Sequence, residues 1–452
     1  MNHDTVRFDE AAPRARATAR AIAGTGITVL VVRDFVGRFT LILDDRDTTR
    51  GLEQVEGWRE RLRQDLGNYA SEDPLLLGSE LFAPESLLES PRRVLASASP
   101  EGAGNVYLLD NTVVGEEWSK VIPLPPEPGP DRTSTARTTL YGFKGGVGRS
   151  TATYLLGRHL AGQGRCVLIV DLDLESPGAG PLLLDEDHVP AYGVVDYLVE
   201  AAVGNADDLD LVVRASHLSV EGNGELWVAP ARGGGFRGPH DAPYSYVDKL
   251  NRVYADVPRA GEGPLGFADR LEEAVAACEK RVADLSRRPD AVLLDSRAGI
   301  HDIAAVAISR LCDLALLFGS DNGQTWRGYE DLFQEWQESG QAENVREKLR
   351  VVASMVPANR SGEYLASFRD HAMQAFSLIY DDVPARDEGE AFNPDLEDES
   401  APHAPIPILF TADLVGLDSG RSPDWCEQPF VHAAYEEFLS VAGRLVMNED
   451  TP

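Results

Sequence analysis

Cysteine is scarce in this chain: four in 452 residues, at 166, 278, 312 and 426, and no two form a C-x-x-C. That spacing excludes a disulfide framework and a cysteine-based zinc site. The nine histidines show no metal-ligand spacing either. Basic residues are the second shortage, 42 against 74 acids, for a formal net charge of −32. Non-specific DNA binding depends on Lys and Arg neutralising phosphates, so DNA is disfavoured as a partner. No run reaches the ~18 apolar residues of a membrane span. The first ten residues carry acids and lack the apolar core of a signal peptide. The expected compartment is a reducing cytoplasm. A helix expected over about 430–447 carries Glu436 and Glu437 against Arg444, which does not suit anionic lipid. Membrane contact is therefore disfavoured, and the stripe Val431, Ala434, Phe438, Leu439 and Ala442 should pack on a core. Apolar residues, at 43%, are plentiful enough for packed interiors, and the length predicts two domains.

The most telling stretch is Lys144-Gly145-Gly146-Val147-Gly148-Arg149-Ser150-Thr151, between a strand-like run, Thr138 to Phe143, and a helical run, Ser150 to Leu160. A Gly-rich loop there aims backbone N–H groups and the positive end of a helix dipole into one concavity, which makes a phosphate cradle. The usual loop is G-x-x-x-x-G-K-[ST]. This chain has Phe143 at the first Gly position and Arg149 at the Lys position, and adds Lys144 before the Gly pair. Cys166 to Asp171 reads as a buried parallel strand ending in Asp171-Leu172-Asp173, on the ligand-binding edge of an open sheet. These acids either serve the ligand or cap the following turn. Ala291 to Leu294 reads as another central strand, leading into Asp295-Ser296-Arg297-Ala298-Gly299-Ile300. Asp295 is placed to hold Mg²⁺, and Gly299 has no Cβ to keep a phosphate away from its N–H. Arg297 is either a charge clamp on a transition state or, as we favour, an ordinary ion pair.

The three motifs resemble those of the MinD/ParA ATPases. Residues 144–151 are similar to their deviant Walker A loop, K-G-G-x-G-K-[ST]-T. Asp173 follows Arg149 by 24 residues, the family interval from the Walker Lys to the second acid. Asp295 to Ile300 looks like Walker B with switch II, commonly D-S-P-A-G-I. The paired departures at Arg149 and Arg297 resemble a KGGVGR-variant branch. Later strands, Leu314 to Phe318, Leu349 to Val356 and Ile406 to Phe410, keep the family order, so the resemblance covers about 136–447.

It implies a doubly wound, mostly parallel α/β sheet of the P-loop NTPase type, with ATP and Mg²⁺ as cofactors. Lys144, Gly145, Gly146, Val147, Gly148, Arg149, Ser150, Thr151 and Gly299 would hold the phosphates, and Asn359 and Asp413 the adenine edge. Ser150, Asp171, Asp173 and Asp295 would serve the metal. Asp173 would orient the attacking water, with Lys144 and Arg149 as catalytic cations and Lys144 reaching across an ATP-dependent homodimer. Arg149 should leave hydrolysis slow.

The expected domains are an accessory α+β domain over 1–122, a Pro-rich linker over 123–137 and the ATPase over 138–452. In the first, strands over 26–32 and 39–43 turn at Gly37, a helix covers 55–62, and 106–109 with 112–114 make a hairpin. Its default role is to bind an unknown protein partner. Segments 222–259 and 381–400 read as an elaboration and as an acidic solvated or disordered loop. The functional expectation is a slow ATPase acting as a dimerisation switch for a partner complex. The alternative is a non-hydrolysing nucleotide-binding scaffold or regulatory subunit, as in an anti-phage type assembly. A bacterial tyrosine kinase shares the loop, but only Tyr435 lies beyond residue 400.

Overall fold

In the computed structural model, the described residues are 6, 8–34, 37–46, 54–97, 103–111, 116–123, 135–216, 222–235, 244–257, 264–381, 391–414 and 424–449. The chain divides into two compact units, Met1–Val114 and Gly115–Pro452.

The first unit is a five-stranded mixed sheet of β1 (Thr28–Arg33), β2 (Phe39–Asp44), β3 (Ala70–Leu77), β4 (Val94–Ser97) and β5 (Val106–Asp110), in the order β3-β2-β1-β5-β4. Strands β1 and β2 pair antiparallel, with Gly37 at φ +87° in the connection, as the turn residue there requires. The helix expected over 55–62 runs from Val55 to Leu66. A helix at Phe8–Ala23 was not anticipated, although Ala11, Ala15, Ala19 and Ile22 mark a fully buried stripe at helical spacing. That stripe packs with Leu62 and Leu66 against Val29, Val31, Leu41 and Leu43 on one sheet face. Of the hairpin expected around Asp110, its second strand, 112–114, lies outside the described residues; its first, β5, pairs antiparallel with β4 and parallel with β1.

The domain boundary lies earlier than expected. Trp118 and Val121 are buried in the second unit's core with Tyr141 and Trp336, and Ile122 N–H donates to the Ser309 carbonyl. Large apolar side chains at 118 and 121 draw 116–122 onto that core. Of the expected linker, 124–134 lie outside the described residues.

The second unit is an eight-stranded sheet: β6 (Ala136–Gly142), β7 (Cys166–Asp171), β8 (Val213–Arg214), β9 (Glu225–Ala229), β10 (Ala291–Asp295), β11 (Leu314–Gly319), β12 (Leu349–Val356) and β13 (Ile406–Leu409). Its order is β13-β12-β11-β6-β10-β7-β9-β8, parallel except for β8 on β9. The continuous apolar runs divide by alternation between two layers. Val167 and Ile169 face one core while Cys166, Leu168 and Val170 face the other, and β10 splits likewise. Helices cover both faces, so the sheet is doubly wound, as expected. Segment 222–259 is corrected from an elaboration, because β9 within it extends the sheet beside β7. Of 381–400, residues 382–390 lie outside the described set, while Asp381 is pinned to Arg346 at 2.6 Å and to the Phe392 N–H.

The last helix, Pro429–Met447, buries Val431, Ala434, Phe438 and Ala442, and the Phe438 ring meets Phe318 edge-on at 5.8 Å. Among the described residues no helix is long and apolar enough to cross a membrane. Truncating Phe438 leaves a cavity as well as losing buried area, so Phe438→Ala should cost about 3–5 kcal/mol in urea unfolding. A loss below about 1 kcal/mol would show that this helix is not part of the core.

Candidate nucleotide site

Strands β6, β7 and β10 lie side by side and end together, with Leu140, Asp171 and Asp295 in register. That edge therefore gathers the Gly-rich loop and both acidic motifs from three distant stretches of sequence. Gly146 (φ +79°) and Gly148 (φ +76°) hold left-handed backbone that costs other residues strain, and Gly148 starts the helix Arg149–Gly162. A Cβ built at Gly145 or Gly146 would meet open space. The loop's helix N-terminus and its open concave side are the features expected of a phosphate cradle.

Phe143, at the first Gly position, has a packing role. Its ring fills a notch at Gly328, where a Cβ would lie 2.3 Å from a ring carbon, and it contacts Tyr329. The start of the loop is thereby fixed to the helix Gly323–Glu338. Lys144 is hydrogen-bonded to Gln324 of the same helix.

Arg149 points inward. Its Nε donates to Asp295 Oδ1 at 2.7 Å and its Nη2 to Asp173 Oδ2 at 3.0 Å, with side-chain exposures of 9%, 0% and 13% for Arg149, Asp295 and Asp173. Burial opposes the guanidinium charge, but Asp295 and Asp173 outweigh it and hold the Arg149 pKa above its ordinary value. Burial raises the Asp173 pKa despite Arg149. Each partner would leave an uncompensated buried charge if the other were removed.

Asp171 belongs to the scaffold in this structure. Its Oδ1 accepts the Asp173 N–H, and its Oδ2 accepts the N–H groups of Gly178, Ala179 and Gly180 at 3.0–3.3 Å. The turn-capping alternative thus describes its contacts, and the expected metal role has to compete with four backbone donors. Burial and the Asp295 charge push its pKa up to about 8 against those donors. The capped segment passes close over Ser150: a Cβ at Gly178 would lie 3.0 Å from Ser150 Oγ. Thr151 lies in the first turn of the same helix.

The switch-like segment is tied to β6. Gly299 (φ +81°) donates its N–H to the Gly142 carbonyl at 3.3 Å, so the group expected to meet a γ-phosphate is engaged here. Arg297 is ion-paired with Glu175 at 2.6 Å and lies 3.2 Å from His301 Nε2, the favoured alternative for this residue. Glu175 also accepts from Tyr254, and Tyr246 donates to the Leu174 carbonyl at 2.7 Å. The sequence reading missed these contacts; the tyrosines were visible in segment 222–259, but nothing in their spacing linked them to residues 174–175. Asn359 and Asp413 sit exposed in 3₁₀ turns following β12 and β13, on the same sheet edge. No hydrogen bond or ion pair joins them to the acid cluster among the described residues.

A divalent cation fits the chemistry of one side chain in particular. Asp295 Oδ2 is buried and has no hydrogen-bond partner among the described residues. No group of three or more His, Cys, Asp or Glu side chains there is arranged to hold a metal without help. Such a site matches Mg²⁺ held by one or two carboxylates and completed by substrate phosphates.

Residues 138–409 match the CobQ/CobB/MinD/ParA nucleotide binding domain. The chain belongs to that family. The match spans all six parallel strands from β6 to β13 that the motifs and their order predicted, and β8 and β9 besides. A comparison with curated proteins finds no match. Solved structures similar to this nucleotide-binding chain include the MinD cell division protein of Aquifex aeolicus, at 17% identity, TM-score 0.39, covering 70% of this chain and 99% of that one. Cobyrinic acid a,c-diamide synthase from Mycobacterium smegmatis with bound ADP and magnesium is 18% identical, with TM-score 0.42 and coverage of 70% and 97%. pNOB8 ParA bound to nonspecific DNA is 14% identical, with TM-score 0.41 and coverage of 70% and 98%.

Removing the Asp171 carboxylate orphans the N–H groups of 178–180. Asp171→Ala should lower stability on the order of 1–3 kcal/mol and raise amide hydrogen exchange at Gly178–Gly180. Unchanged exchange there would show that the carboxylate does not cap this segment.

Proposed function

We propose that this chain binds ATP with Mg²⁺ at the loop 144–151 and hydrolyses it slowly, as a dimerisation switch for a partner complex. The observation that supports this best is the convergence of a Gly-rich strand–loop–helix with Asp173 and Asp295 on one sheet edge. Phosphoryl transfer needs little beyond positioning and charge neutralisation, and those residue types supply both. Ser150 and Asp295 are our candidates for holding Mg²⁺, which when bound would neutralise charge on the phosphates. Asp173 is the candidate for orienting water, and Gly145, Gly146 and Gly148 let the backbone approach the phosphates. Lys144, at the rim and parked on Gln324, is the candidate for reaching a second copy. Asn359 and Asp413 remain our candidates for the base edge.

One observation favours the second reading, a nucleotide-binding scaffold with little turnover: Arg149 occupies Asp173, the proposed water-orienting acid. We assign the first unit, Met1–Val114, to protein-partner binding. The four cysteines are free and buried, in keeping with a reducing cytoplasm as the working compartment.

Light scattering after gel filtration, with ADP or a non-hydrolysable ATP analogue, tests the switch. Wild type should dimerise with the analogue only, and Lys144→Ala should bind nucleotide nearly as well yet stay monomeric. Dimerisation of that variant would remove Lys144 from the interface. In a single-turnover assay Asp173→Ala should accumulate the ATP-bound form. Turnover at the wild-type rate in that variant would reject Asp173 as the orienting acid, and no turnover in wild type would favour the scaffold.

A further inference from the structure

We propose that Arg149 is a resident counter-ion that keeps free divalent cations out of the acid cluster until a nucleotide draws it away. The inference rests on the nucleotide reading above and concerns how that site is regulated.

Three observations carry it. First, one guanidinium bridges a buried and a partly buried carboxylate with two different nitrogens, Nε to Asp295 and Nη2 to Asp173, at 2.7 and 3.0 Å. A lysine in this position would bring a single nitrogen, whereas the planar fork suits two acceptors at once. Second, the neighbouring carboxylate, Asp171, is saturated by four backbone N–H groups and offers no competing attraction. Third, Asp295 Oδ2 is buried without a hydrogen-bond partner among the described residues, so the cluster retains an acceptor oxygen that the guanidinium does not satisfy.

With Arg149 in place, a hydrated cation entering the cluster faces a fixed positive charge a few ångströms away, at the reduced dielectric of a protein interior. It also finds one oxygen of each acid, Asp295 Oδ1 and Asp173 Oδ2, already held by the guanidinium, where a divalent ion needs several ligands. Triphosphate or diphosphate in the loop offers Arg149 a better set of oxygens. Rotation of its side chain toward them frees Asp295 Oδ1 and Asp173 Oδ2 at the moment when phosphate oxygens complete a metal site. Metal and nucleotide thus bind with positive coupling, and the cluster does not load with cation alone.

The test uses the full chain and Mn²⁺, followed by electron paramagnetic resonance. Without nucleotide, wild type should show no protein-bound Mn²⁺ signal at sub-millimolar metal, and the signal should appear on adding ADP. Arg149→Ala should bind Mn²⁺ without nucleotide at least about tenfold more tightly than wild type, because the excluding charge is gone. If Arg149→Ala fails to fold, Arg149→Met keeps the stem packed in the same space and should give the same gain. A bound-Mn²⁺ signal in nucleotide-free wild type, or equal Mn²⁺ affinity in wild type and the variant, would overturn the proposal. Fluorescent ADP titrated into wild type with Mg²⁺ separates the two readings. No ADP binding rejects the nucleotide site itself, while the Mn²⁺ comparison still reports on Arg149.

Discussion

The pairing of Arg149 with Asp173 and Asp295 is the contact around which the site is organised. It joins the phosphate loop to two strand ends that lie 24 and 146 residues further along the chain. A buried cation without acids, or buried acids without a cation, would each carry a heavy desolvation cost. The β6–β10–β7 arrangement makes the pairing available, because parallel register brings Asp171 and Asp295 level with the start of the loop. The remaining contacts of the edge are arranged around that core: the cap on Asp171, the Gly299 tether and the Arg297–Glu175 pair.

Much of this was legible from residue patterns. Largely apolar runs of four to eight residues, four of them ending in Asp or Gly, marked six of the parallel strands, because a strand buried on both faces has little polar alternation to obscure it. Strand β9 escaped notice although Leu226, Trp227, Val228 and Ala229 form such a run. It lies in a Gly- and Tyr-rich stretch whose composition suggests loop. The helix Phe8–Ala23 was missed for a different reason: its buried stripe is mostly alanine, which carries little hydrophobic signal.

Side-chain direction was the less legible part of the site. The motif placed Arg149 and Asp171 near phosphate and metal, and proximity alone could not say which neighbours each would choose. Arg149 chooses the acids because its fork finds two of them, one buried and one partly buried, at hydrogen-bonding distance. Asp171 chooses backbone because the turn at 178–180 presents three N–H groups to one oxygen. Both outcomes depend on residues separated in sequence, and spacing within a motif does not encode them.

The Phe143 ring and the bare Cα of Gly328 fill one another's space. An aromatic at the first position of the loop and a glycine one-third of the way along the helix Gly323–Glu338 are therefore a single structural unit written at two places in the chain. Restoring glycine at 143 would leave a void beside Tyr329, and adding a methyl at 328 would evict the ring. Each step alone carries a packing cost, so the two positions are coupled through one contact.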